Sequence, residues 1–128
     1  MKKIEIFLTD EKLVASEKIS GVWRVIFDLH CITGDDSSAI DSTVLGSFSI
    51  GRKYEDYTSK KYNVKMPYSM FYDGPRAIHA TDHATIRSYI QSTGLNWFST
   101  KGCVGIELVG AKKLFEWSEI LTSVYILK

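Results

Sequence analysis

Two residues of this chain have the chemistry of a nucleophile and its base, Cys103 and His79. Cys103 stands in the stretch Thr100-Lys101-Gly102-Cys103, directly after a glycine. A cysteine attacks as a thiolate, so it needs a base or a positive environment, and donors for the oxyanion that forms on its substrate. Gly102 lets the backbone approach a substrate closely and can turn the Cys103 N–H towards a developing negative charge. Ser99 and Thr100 flank the loop with hydroxyls, and Lys101 adds positive charge. His79 follows the apolar pair Ala77-Ile78, where a strand end would hold an imidazole in a fixed direction. His83 is the rival base, one turn into an expected helix and therefore expected at the surface. Taken alone, a glycine-cysteine strand start reads more readily as a buried thiol than as a nucleophile. A lone histidine after an apolar pair likewise reads as structural. Cys31, in the middle of an apolar run, reads as a core thiol. His30, His79 and His83 have no zinc-ligand spacing with the two cysteines, so neither a metal nor another cofactor is expected.

The chain that must position these residues has 128 of them, enough for one domain (1–128) with a core that needs no metal or disulfide staple. Sixteen basic residues against fifteen acidic ones give no electrostatic case for a nucleic-acid or membrane-surface partner. No apolar run approaches the roughly 20 residues that cross a bilayer. The opening "MKKIEIFLTDEKLV" is interrupted by Glu5, Asp10 and Glu11, which is unlike an export signal. The expectation is a cytosolic product, a fragment of a longer exported protein, or cargo of a machine that needs no such signal.

The first half reads as short strands. Lys3 to Leu8 alternates as a half-buried strand, with Glu11 to Glu17 as its hairpin partner. Val22 to Cys31 is rich in β-branched and aromatic residues, and Gly46 to Gly51 is a further short strand. "TGDDSSAIDST" between them is a polar loop. "KKYNVKMPYSMFYDG" is broken by Pro67 and so reads as an edge or bent strand. Asp73-Gly74 is a turn signal, and Ala77 to His79 a short strand. Thr81 can cap a helix bearing Ala84, Ile86, Tyr89 and Ile90 and ending near Gly94. Val104 to Val109 is expected as a strand, Ala111 to Leu121 as a helix with Leu114, Trp117 and Leu121 on one face, and "SVYILK" as the last strand. The expected fold is a mainly-β sandwich or barrel with two helices in its second half.

The ordered set of motifs resembles the L,D-transpeptidase catalytic domain, the YkuD family, along almost the whole chain. Cys31 to Gly34, "CITG", matches a Ser/Thr-Thr-Gly-like turn, and "STVLGSFSI" keeps Gly46 and Phe48 of a "TPxGxF" element. Met66-Pro67-Tyr68 leads to Ile78-His79-Ala80, matching "MPY" and "IHG", and Thr100 to Cys103 matches "S/T-x-G-C". The resemblance implies cysteine acyl transfer on peptidoglycan stem peptides without a cofactor. Cys103 would be the nucleophile and His79 the general base. Gly102 and Cys103 amides would form much of the oxyanion hole, and Thr100 or Ser99 would order the site. Lys101 and Tyr68 are further expected substrate contacts. The match breaks at Lys101, at Ala80, and at Gly105, where the family usually carries an arginine that holds substrate. Arg76 and Arg87, either side of His79, are the expected replacements for carboxylate binding.

The expected activity is therefore L,D-transpeptidation, D-amino-acid exchange or L,D-carboxypeptidation. The alternatives are a weak or inactive peptide-binding module on the same fold, or another thiol acyl transferase or protease. The divergent motif and the lack of a recognisable signal suggest an antibacterial effector. It would reach the periplasm or cell wall through a secretion machine, with a component of that machine or an immunity protein as its partner.

Overall fold

The computed structural model describes residues 1–33, 45–59, 64–81 and 103–128. In β1 (Lys2–Phe7) Ile4 and Ile6 are wholly buried and alternate with half-buried Lys3 and Glu5, the period-2 pattern that commits a segment to one face of a sheet. β2 (Lys12–Ile19) and β3 (Val22–His30) form an antiparallel hairpin. Its turn places Ser20 and Gly21 at φ of 51° and 80°. Two positive φ values in a two-residue loop match the right-handed twist of the flanking strands, and the glycine adopts its value without strain. The chain continues through β4 (Gly46–Ser49), β5 (Arg52–Tyr54), β6 (Thr58–Ser59), β7 (Val64–Lys65), β8 (Ser69–Asp73), β9 (Arg76–Thr81) and β10 (Val104–Glu107). It closes with helix α1 (Leu108–Trp117) and β11 (Ser123–Leu127).

These strands make a five-stranded sheet, β3-β2-β1-β11-β4, a four-stranded sheet, β10-β9-β8-β5, and the small β6-β7 pair. The last strand runs parallel beside the first, with Ile4 opposite Val124 and Ile6 opposite Ile126. Those residues share one core with Leu13, Met70, Ile78, Val104 and Ile106 from the two sheets, and with Ala111 and Leu114 of α1. Each fully buried Ile or Leu contributes about 1.5–3 kcal/mol. Ile32, just beyond β3, exchanges two backbone hydrogen bonds of 2.9 Å with Gly105 of β10, which ties the first sheet's chain to the second.

The architecture is mainly β with a helix in the C-terminal half, as expected, and several boundaries move. β9 runs on past His79 to a buried Thr81. The run broken at Pro67 becomes β7 and β8, and β8 lies between β9 and β5 rather than at an edge. β10 stops at Glu107, so Leu108 and Val109 open the helix and are exposed. Leu121 would share a face with Leu114 only if α1 continued. Ser118 instead turns extended, and Leu121 sits at φ 77°, three-quarters exposed. The helix expected after Thr81 and the "TGDDSSAIDST" loop lie largely or wholly outside the described residues. Both cysteines are free thiols, and Cys31 is wholly buried, as its apolar strand implied. Among the described residues no helix is long and apolar enough to cross a membrane.

Candidate active site

β9 and β10 run parallel, with Val104 opposite Ile78 and Gly105 opposite His79. Alternation sends Ile78, Ala80, Val104 and Ile106 into the shared core. Ala77, His79 and Thr81 therefore belong to the opposite face of the sheet. Cys103 immediately precedes β10 and stands beside Ala77, in a second cluster with Met66, Phe71 and Ala77. The two chemically distinctive side chains thus lie on β9 and just before its neighbour β10, two residues apart along the extended register.

The thiol is 6% exposed. Its sulfur accepts the Ala77 N–H at 3.4 Å, and its S–H donates towards the Pro75 carbonyl at 3.8 Å. Burial pushes the thiol from an ordinary 9.0 up to about 11, against the smaller opposing effects of the Ala77 N–H and the Arg76 charge. His79 is 2% exposed, and its Nδ1 lies 2.9 Å from the Ala80 carbonyl oxygen. A carbonyl can only accept, so Nδ1 carries the proton and Nε2 presents its lone pair. Nε2 makes no hydrogen bond among the described residues. Burial lowers the His79 pKa, with the Ala80 carbonyl opposing it, so the ring is neutral near pH 7. The resting pair is a neutral thiol and a neutral imidazole in the tautomer of a general base. Their hydrogen bonds go to backbone rather than to each other.

The other expected site residues are placed unevenly. Arg76 opens β9, pairs with Asp73 at 3.3 Å, and its positive charge reaches the Cys103 thiol. Tyr68, at φ 55°, turns its ring onto Phe115 of α1, with centroids 5.5 Å apart, and so faces the helix rather than the thiol cluster. Ser99, Thr100, Lys101, Gly102, Arg87 and the rival base His83 lie outside the described residues. Gly105 has a structural reason to lack a side chain. A Cβ there would sit 2.7 Å from Thr81 Cγ2 and 3.0 Å from Ile32 Cγ1. The space after the thiol is already filled.

Sequence reasoning missed the groups that hold the pair: the Ala80 carbonyl, the Ala77 N–H and the Pro75 carbonyl. Being backbone, they leave no mark in residue type. It also missed Thr81 Oγ1, which is buried without a hydrogen-bond partner among the described residues. Its signal was the alternation of Ala77, His79 and Thr81. Among the described residues no group of three His, Cys, Asp or Glu could hold a metal ion.

The family model for YkuD, the L,D-transpeptidase catalytic domain, matches residues 2–126. Among solved structures, the chain is similar to an L,D-transpeptidase (Yku) from Stackebrandtia nassauensis, at 26% identity and a TM-score of 0.80, covering 99% of this chain and 55% of that one. It shares its fold with the catalytic domain of the E. faecium L,D-transpeptidase, at 21% identity and a TM-score of 0.69, covering 99% of this chain and 97% of that one. It also shares it with an L,D-transpeptidase from Xylanimonas cellulosilytica, at 20% identity and a TM-score of 0.73, covering 98% and 59% respectively. The chain spans about half the length of several solved chains it matches, at 55%, 51% and 49%. No match was found among curated proteins.

Proposed function

Because the chain belongs to the L,D-transpeptidase catalytic domain (YkuD) family, we propose that it is a cysteine-dependent acyl transferase acting on peptidoglycan stem peptides. The observation that carries this reading is the pair itself: His79 on β9 and Cys103 just before the parallel neighbour β10, with the imidazole held in the tautomer that leaves the Nε2 lone pair free of its own proton.

The reaction runs as acyl transfer in two halves. The Cys103 thiol leaves the Pro75 carbonyl and gives its proton to His79 Nε2 as sulfur bonds to the carbonyl carbon between the diamino acid and the terminal D-alanine. The Gly102 and Cys103 amides receive the oxyanion, and Thr100 or Ser99 orders the loop. When the tetrahedral adduct collapses, His79 returns the proton to the leaving D-alanine amine, leaving a thioester on Cys103. An amine or water then attacks the thioester, giving cross-linking, D-amino-acid exchange or hydrolysis. Burial favours the neutral form of both groups, so in this reading proton transfer to Nε2 accompanies attack by sulfur.

Incubation with muropeptide tetrapeptides, with D-alanine release followed by mass spectrometry, tests the reading. The wild type should release D-alanine and show an acyl adduct on Cys103 by intact mass. Release no greater than that of Cys103→Ala, without an exchange product, overturns it.

A second reading has its own observation. A thiol 6% exposed and tied to backbone suits a module that binds stem peptides without turning them over. Binding retained without release would select it. We further propose the cell wall as the site of action and delivery as an antibacterial effector, for which a neighbouring immunity gene is the check.

A further inference from the structure

We propose that Arg52 binds a carboxylate of the acyl-donor peptide, at the far end of a cross-strand row that begins at Cys103. The inference deepens the acyl-transfer reading and rests on it for the identity of the donor.

The register defines the row. Cys103 stands beside Ala77 on β9, Ala77 lies opposite Phe71 on β8, and Phe71 lies opposite Arg52 on β5. Paired residues point to the same face of a sheet, so the four side chains share one side. Three strand spacings separate the Cys103 and Arg52 backbones by roughly 14 Å. The arginine leans back along the row, with its guanidinium carbon 4.3 Å from the centroid of the Phe71 ring. That places its positive charge about two strand spacings, or roughly 10 Å, from the thiol. About three extended peptide residues, or one long acidic side chain, span this distance.

The guanidinium is built to receive an anion. The Phe71 face supports it by cation–π contact, and Nη2 donates to the Gly74 carbonyl at 3.3 Å. No carboxylate pairs with Arg52 among the described residues, whereas Arg76 pairs with Asp73. Arg52 is exposed, and the buried apolar residues Phe71 and Ala77 occupy the row between it and Cys103, in one cluster with Met66. A peptide running along this row would bring a carbonyl to the sulfur and an acidic group to a fork that can bind it through two parallel hydrogen bonds. Position 105, closer to the thiol, is closed to any charged side chain by Thr81 and Ile32.

Binding is measured on the Cys103→Ala protein, where no turnover intervenes, with a stem tetrapeptide and with forms in which each carboxylate in turn is a carboxamide. Adding Arg52→Gln should weaken binding of the free acid by about tenfold and leave one of the amides unaffected. That amide marks the carboxylate Arg52 holds. Arg52→Lys, which keeps the charge but not the fork, should fall between. Equal affinity of the parent and both Arg52 variants for every peptide overturns the proposal, as does absence of binding to the parent. Failure of D-alanine release by the wild type, with this binding pattern intact, counts against the transferase reading alone.

Discussion

Cys103 rests as a protonated thiol whose S–H faces the Pro75 carbonyl, and His79 rests as a neutral ring whose Nδ1–H faces the Ala80 carbonyl. Burial does both, because it penalises the charged form of each group. The consequence can be measured by alkylation. The rate at Cys103, read by peptide mapping, should climb with pH towards a midpoint near 11 rather than the ordinary 9.0. His79→Ala should leave that midpoint almost unchanged while abolishing turnover, since the imidazole takes the proton only during attack. A midpoint well below 9, lost in His79→Ala, would instead demonstrate a standing ion pair.

At the scale of elements, the parallel β9–β10 pair orients the chemistry, and α1 presses those strands onto the core. The helix has no basic residue in its last turn. Its C-terminal carbonyls are completed from outside by two lysines. Lys2 of β1 donates to the Trp117 carbonyl at 2.6 Å. Lys53 of β5 donates to the Phe115 and Ser118 carbonyls and lies 4.3 Å from the Phe115 ring centroid. One cation comes from each sheet, so the helix end is where the sheets are joined by charge as well as by packing. Lys53→Met keeps much of the apolar stem and removes the donor, taking the ammonium from the partly buried Ser118 carbonyl and leaving the Phe115 carbonyl with only the Ser118 hydroxyl at 3.4 Å. It should cost about 1–3 kcal/mol in urea unfolding. A loss no greater than that of an exposed control such as Lys112→Met would show that water replaces the ammonium freely.

At the scale of the whole molecule, the buried groups His79, Cys31 and Cys103 among the described residues shape stability against pH, and buried Tyr72, whose pKa is also raised, adds to the alkaline side. Burial lowers His79 from its ordinary 6.5, so below that pH the unfolded chain binds a proton that the folded chain resists. Its contribution is full above 6.5 and is lost as pH falls through the lowered folded value. Burial raises Cys31 to about 12 and Cys103 to about 11, from 9.0 in each case. Their contribution is full below pH 9 and is lost as pH rises through 11 and 12. Urea midpoints should therefore form a plateau between about pH 6.5 and 9 and fall on both sides. His79→Gln should flatten the acid side. A midpoint unchanged from pH 7 to 5 in the wild type would contradict a neutral buried imidazole.

How much of this was legible in the sequence depends on range. The strand β1 could be read because period-2 burial is written in neighbouring residues such as Ile4, Glu5 and Ile6, and β3 because its β-branched and aromatic residues favour extended backbone. Cys31 as a core thiol could be read from the apolar run it belongs to. The order of "CITG", "GSF", "MPY", "IHA" and "TKGC" pointed to the family and to Cys103 and His79. The end of α1 could not be read, because Leu121 continues the helical spacing and only the extended backbone at Ser118 removes it. Nor could the direction of Tyr68, whose positive φ sends its ring to Phe115. The sequence by itself determined which residue types could do the chemistry and the alternation that sorts them to one face or the other. Only the tertiary structure decided that β9 and β10 are neighbours, that Thr81 and Ile32 fill the place of a side chain at Gly105, and that Arg52 shares a row with Cys103. Register between strands distant in sequence is set by whole-sheet packing and backbone pairing, and no local pattern of residues encodes it.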